Sequence, residues 1–198
     1  MVEINKKIVH DIEEYAEKNK VPIMQREGIL YLTSYIAKND IHNVLEIGTA
    51  IGYSAIMMAY TKEDIHITSI ERDEQRYLEA LKNVKKLELE DKITLIFNDA
   101  FNVSFDDEFD LIFIDAAKAQ NTKFFEKFQN NLIKNGTIIT DNMKFHGLID
   151  KPEEEIKSRD LRGLVRKVKD YKKFLENNKN YDTEFVDIGD GLAISIKK

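Results

Sequence analysis

The chain has 198 residues, 42% hydrophobic and 33% charged, with 30 basic against 36 acidic side chains and no cysteine. That length allows one domain with a full core, and the missing cysteines exclude disulfides, thiolate metal sites and cysteine nucleophiles. A net charge of −6 argues against a surface built throughout for nucleic acid. No apolar run nears the ~20 residues that cross a bilayer, and no signal-like start precedes Glu3, so a cytoplasmic protein with no membrane contact is expected. The first predicted element is a helix over 3–19, where Ile4, Ile8, Ile12 and Tyr15 recur every three or four residues. After a break at Val21-Pro22, a second amphipathic stretch runs over 25–37. These N-terminal helices, 1–39, are expected to pack on the core of a single 1–198 domain.

Alternation follows: strand 43–47, helix 53–61, strand 65–70, helix 74–87, strand 93–97, strand 109–114, helix 119–132, strand 137–141, helix 159–176, strand 183–188 and strand 192–197. Gly189-Asp190-Gly191 reads as the hairpin turn between the last two strands. The pattern predicts an α/β fold with a doubly wound, mostly parallel sheet of seven strands that closes on an antiparallel hairpin. Ligands of such sheets gather beyond the carboxyl ends of the strands.

At the first strand, Val44-Leu45-Glu46-Ile47 runs into Gly48, and a helical face begins after Gly52. Glycine at such a turn lets backbone approach a ligand. Glu71 stands nineteen residues past Gly52 at the next strand end, the usual place for a ribose-binding acid. An adenosine-containing cofactor is therefore expected. A pyrophosphate would want the full G-x-G-x-x-G, which is absent, and Glu46 adds negative charge that suits a cationic amino acid better. S-adenosylmethionine has a ribose, a sulfonium and an α-ammonium but no phosphate, and the segment resembles motif I of the class I methyltransferases that use it.

Two later strand tips carry matching polar groups. One delivers Asp115, with Lys118 three residues on, and the other delivers Asp141 and Asn142. If the strands are neighbours, two carboxylates and an amide oxygen meet, a hard donor set suited to Mg²⁺ or a similar cation. Taken singly, Asp115 reads equally well as a helix cap, and Asp141-Asn142 as turn chemistry.

From Pro22 to Lys198 the chain resembles the metal-dependent O-methyltransferases of the catechol/caffeoyl-CoA type, on the strength of VLEIGTAIGYSA, Glu71, NDA at 98–100, FIDAAK at 113–118, TDN at 140–142 and GDGLAISIK at 189–197. The resemblance implies a Rossmann-like class I methyltransferase fold and S-adenosylmethionine surrounded by Glu46, Gly48, Ser54, Glu71, Asp99, Ala100 and Asp115, with Met24 near the methyl-donor end. It further implies a metal on Asp115, Asp141 and Asn142, Lys118 as general base, and a homodimer. Two vicinal substrate oxygens would chelate the metal, and the deprotonated one would attack the sulfonium methyl in line.

The substrate is less legible. Residues 157–173 hold eight basic and two acidic side chains around an apolar stripe of Leu161, Leu164, Val165 and Val168, with Arg159, Arg162, Arg166, Lys169 and Lys173 on other faces. Such a patch fits a phosphate-bearing partner, or an ordinary solvated helix balanced by Glu153-Glu154-Glu155. The LRGLVRKVK wording resembles the bacterial branch that methylates 5-hydroxyuridine in the tRNA anticodon loop. Phe145 and His146 would then wall the base pocket, although His146 taken alone reads first as a structural or solvent-exposed residue. A small catechol-like phenol is the alternative substrate. From other classes, a nicotinamide-dependent oxidoreductase on a Rossmann sheet and a non-catalytic S-adenosylmethionine- or RNA-binding module are the competing readings, the first disfavoured by the missing second glycine.

Overall fold

A computed structural model describes residues 5–198. Helix α1 (Lys6–Asn19) starts at Asn5, whose side chain accepts from the Ile8 N–H, and ends where Lys20 turns left-handed. It buries Val9, Ile12 and Ala16. The apolar stripe is thus rotated from the expected one, with Tyr15 at its exposed border. The expected first turn, with Glu3 and Ile4, lies outside the described residues. Pro22 forbids continuation, and α2 (Arg26–Lys38) turns Ile29, Leu32 and Ile36 inward.

The alternating part forms β1 (Asn43–Ile47), α3 (Tyr53–Ala59), β2 (His66–Glu71), α4 (Glu74–Lys86), β3 (Ile93–Phe97), β4 (Phe109–Ile114), α5 (Asn121–Phe128), β5 (Leu132–Thr140), α6 (Arg159–Asn177), β6 (Tyr181–Val186) and β7 (Leu192–Lys197). The seven strands lie in the order β3-β2-β1-β4-β5-β7-β6. Pairs among the first five are parallel, and β7 is antiparallel to both its neighbours, as expected. Strand order reverses between β1 and β4, so the crevice for a ligand opens at their carboxyl ends.

Apolar side chains cover both faces of the sheet. α1, α2 and α3 bury Ile12, Leu32, Ile36 and Ile56 with Phe113, and Tyr53 Oη donates to Glu13 Oε1 at 2.8 Å, tying α1 to α3. On the other face Phe125, Phe128, Tyr171 and Leu175 pack on Ile112 and Ile138. A small third cluster of Phe145, Ile156, Val165 and Val168 joins the segment after β5 to α6. No described helix is long and apolar enough to cross a membrane.

Several boundaries differ from expectation, three of them for reasons the structure shows. The helix expected over 119–132 is α-helical only from Asn121 to Phe128, with single 3-10 turns at Lys118–Gln120 and Gln129–Asn131. Strand β5 begins at Leu132 rather than 137. Asn135, with φ 62°, and Gly136 read as a turn but lie within the strand. The register moves from Phe109↔Leu132 to Leu111↔Thr137, five residues on β5 against two on β4. Strand β6 starts two residues early because Tyr181 pairs with Lys197 and packs its ring on Phe125 at 4.8 Å.

Candidate active site

The tips of β1 and β4 meet where the glycine turn begins. Gly48 has φ +104°, and a Cβ there would stand 2.1 Å from the Asp115 carbonyl oxygen, so only glycine permits this approach. Glu71, at the tip of β2, folds its carboxylate back over the turn. Oε2 accepts from the Ala50 N–H at 2.8 Å, and Oε1 from the Arg72 and Asp73 N–H groups at 2.9 and 2.8 Å. Oε2, with a single bond, keeps capacity to accept again from a ligand hydroxyl.

A cavity of about 480 Å³ runs along these tips. The strand order places Glu71, Asp99 and Ala100 on the β2–β3 side, Asp115, Lys118, Asp141 and Asn142 on the β4–β5 side, and Gly48 between them. All eight were expected and all line the cavity. Ile23, Gln25, Arg72, Arg76 and Phe124 also line it without having been singled out. Of these only Arg72 carried a sequence signal, since it directly follows Glu71.

Met24, Glu46 and Ser54 do not line the cavity. Met24 is buried against Gly28, its Cε 3.0 Å from where a Cβ would stand. Glu46 has no exposed surface, so the expected presentation of its charge to the ligand is absent from this structure. Its carboxylate accepts from Ser54 Oγ and, at 2.5 Å, from Ser69 Oγ, which lies 2.6 Å from Thr49 Oγ1. The network ties β1, the first turn of α3 and β2 together behind the glycine turn. Burial pushes the Glu46 carboxyl up to about 7, against the pull of the two serine hydroxyls.

On the β4–β5 side, Asn142 has φ 62°, a left-handed conformation that asparagine tolerates. Its N–H donates to Asp141 Oδ1 at 2.6 Å and its Nδ2 to Oδ2 at 3.2 Å. Lys118 Nζ donates to Asn142 Oδ1 at 2.6 Å. Burial raises the Asp141 carboxyl well above its ordinary range, and the Asp115 charge adds to that. Burial raises Asp115 likewise, opposed by Lys118 and reinforced by Asp190. Two enclosed carboxylates that repel each other, next to an amide oxygen, form a donor set that fits a hard divalent cation. Among the described residues no three His, Cys, Asp or Glu side chains are placed to hold a metal ion by themselves, so a cation here would need the Asn142 amide oxygen beside the two carboxylates.

The profile described as O-methyltransferase matches residues 2–198. The chain belongs to the O-methyltransferase family. It is an S-adenosylmethionine-dependent methyltransferase, which sets aside both the oxidoreductase and the non-catalytic readings. Its fold superimposes with a TM-score of 0.91 on a Staphylococcus aureus protein provisionally assigned as a caffeoyl-CoA O-methyltransferase, at 42% identity over 96% of this chain and 92% of the other. It is also 26% identical to the caffeoyl-CoA O-methyltransferase of Populus kitakamiensis over 92% of this chain and 80% of that protein. The O-methyltransferase from Bacillus cereus, solved in complex with SAH, shares the fold at 21% identity and a TM-score of 0.81, over 98% of this chain and 92% of the other.

Proposed function

We propose that this O-methyltransferase methylates a ring hydroxyl that stands beside a second oxygen, with Mg²⁺ or another hard divalent cation held by Asp115, Asp141 and Asn142. One observation carries the reading: two enclosed carboxylates, an amide oxygen and Lys118 Nζ converge beside a cavity that extends to Glu71. When bound, the cation would make the hydroxyl more acidic and fix both oxygens. Glu71 would hold the ribose hydroxyls of S-adenosylmethionine, and Asp99 and Ala100 the adenine. Gly48 leaves room for the methionine part. Lys118 Nζ would take the hydroxyl proton as the O–C bond forms and the S–C bond breaks, leaving S-adenosylhomocysteine. Met24, Glu46 and Ser54 support the cavity wall from behind.

The favoured acceptor is 5-hydroxyuridine in the tRNA anticodon loop, whose 5-hydroxyl lies next to the 4-oxygen of the ring. Exposed Lys157, Arg159, Lys167, Lys169 and Lys173 support it, a basic face on an acidic protein. A small catechol-like phenol is the second reading, favoured by the names of the caffeoyl-CoA relatives. We read the chain as one catalytic domain that works as a homodimer in the cytoplasm, the assembly to be checked by sedimentation.

Mass spectrometry of tRNA nucleosides from cells lacking the protein tests the choice. Loss of 5-methoxyuridine with build-up of 5-hydroxyuridine is expected. Unchanged 5-methoxyuridine, with purified enzyme methylating catechol, selects the phenol. Failure of both overturns the proposal.

A further inference from the structure

At the mouth of the cavity stands a pair that the chemistry above does not use. Asp190, in the turn between β6 and β7, is 5% exposed, and its Oδ2 is buried without an aligned hydrogen bond. Oδ1 accepts from the His146 backbone N–H, and Oδ2 lies 3.3 Å from His146 Nδ1. The distance suits a hydrogen bond once the ring is aligned. The His146 side chain is 68% exposed and lines the cavity.

The backbone here is unusual. Phe145, His146 and Gly147 have φ of 47°, 55° and 74° in succession. Residues with side chains rarely adopt that conformation, and a run of them has to be held from outside. The hairpin turn does the holding: the Met143 N–H donates to the Gly191 carbonyl at 2.9 Å and the Lys144 N–H to the Asp190 carbonyl at 2.7 Å, and Lys144 pairs with Asp187. Phe145 is buried with Ile156, Val165 and Val168, which leaves His146 as the aromatic side chain that faces the cavity on this wall.

We propose that His146 is the platform on which the planar ring of the acceptor rests, and that Asp190 is the positioning residue that fixes the imidazole. The inference rests on reading the site as an O-methyltransferase of ring hydroxyls. 5-Hydroxyuracil and catechol rings are both planar, and stacking tolerates either because each offers a π face. With its face on His146, the ring presents its oxygen edge to Asp115, Asp141 and Asn142. A strained backbone and a buried carboxylate spent on one exposed imidazole make sense if the direction of that imidazole matters.

Steady-state methylation of catechol, and of an anticodon stem-loop bearing 5-hydroxyuridine, tests this. His146→Ala should raise the KM of the acceptor that is turned over by about 10-fold, with kcat and the affinity for S-adenosylmethionine within about two-fold. His146→Phe should restore most of the loss and His146→Gln should not. Asp190→Asn, which keeps a carbonyl for the His146 N–H, should raise the same KM a few-fold, and should lose that effect in the His146→Phe background. An unchanged KM in His146→Ala overturns the platform. An Asp190→Asn effect that persists beside His146→Phe overturns the positioning role, because Asp190 would then act through its charge near Asp115 and Asp141. A wild-type enzyme that methylates neither acceptor refutes the functional reading and the platform with it. The pair is then decided by ¹⁵N NMR of the His146 ring, where identical spectra for wild type and Asp190→Asn overturn it.

Discussion

Directly behind the turn that carries Gly48 sits Glu46, a carboxylate with no exposed surface. Its carboxyl is raised to about 7 from an ordinary 4.5. Between those values the native state keeps a proton that the unfolded chain has lost. Its contribution to stability is therefore full below about pH 4.5 and disappears as pH rises through about 7, a difference on the order of 3 kcal/mol. Glu46→Gln should remove that share, so denaturation at pH 5 and pH 8 should show a shallower decline than in wild type. Equal declines would place the proton elsewhere. Gly48→Ala meets a backbone oxygen and not a mobile side chain, and should cost at least ~3 kcal/mol in stability or abolish folding. At Asp141 the two roles conflict. Asp141→Asn relieves repulsion with Asp115 and should stabilise the protein in chelator at pH 8 by on the order of 1 kcal/mol. It should also cut turnover by more than about 100-fold. Retained turnover would remove Asp141 from the metal site.

Helix α6 is capped by Ser158 and buries Val165, Val168, Tyr171 and Leu175, with Tyr171 Oη 2.7 Å from Thr140 Oγ1 near the tip of β5. Two of its arginines serve the segment before it. Arg162 Nη1 donates to the Ile156 carbonyl at 2.6 Å, and Arg166 pairs with Glu153. Arg159, Lys167, Lys169 and Lys173 stay exposed for a polyanion, the three lysines along the body of the helix. Reversing these three to glutamate should weaken tRNA binding by more than ~10-fold at low salt, reduce its salt dependence, and spare catechol methylation. Parallel loss of both activities would mark a structural helix face. On the opposite side of the sheet α2 depends on Leu32, fully buried in the core. Leu32→Ala should cost about 3 kcal/mol in chemical denaturation.

For the molecule as a whole, a divalent cation should act as a stabiliser. Binding only the native state, it should add ~2–3 kcal/mol at a hundred times its dissociation constant. The gain should be larger at pH 8 than at pH 5.5, because Asp115 and Asp141 are raised and must lose protons to bind it. No shift in Tm with Mg²⁺ or Mn²⁺ at either pH would contradict the donor set. Much of this layout could be read from residues alone, because apolar runs ending in Gly48, Glu71, Asp115 and Asp141 mark strand tips, and a doubly wound sheet brings tips together. What stayed hidden depends on contacts far apart in sequence. Asn135-Gly136 reads as a turn unless its pairing with β4 is known, nothing near Glu46 announces that Ser54 and Ser69 enclose it, and His146 meets Asp190 across 44 residues. One topological detail bears on how the molecule is made. Strand β7 follows β6 in the chain yet inserts between it and β5, so the edge of β5 stays uncovered in any nascent polypeptide that has not reached Leu192. Such an edge is a template for intermolecular pairing. Translational pausing before that strand emerges is therefore where aggregation, and demand for a chaperone, should concentrate.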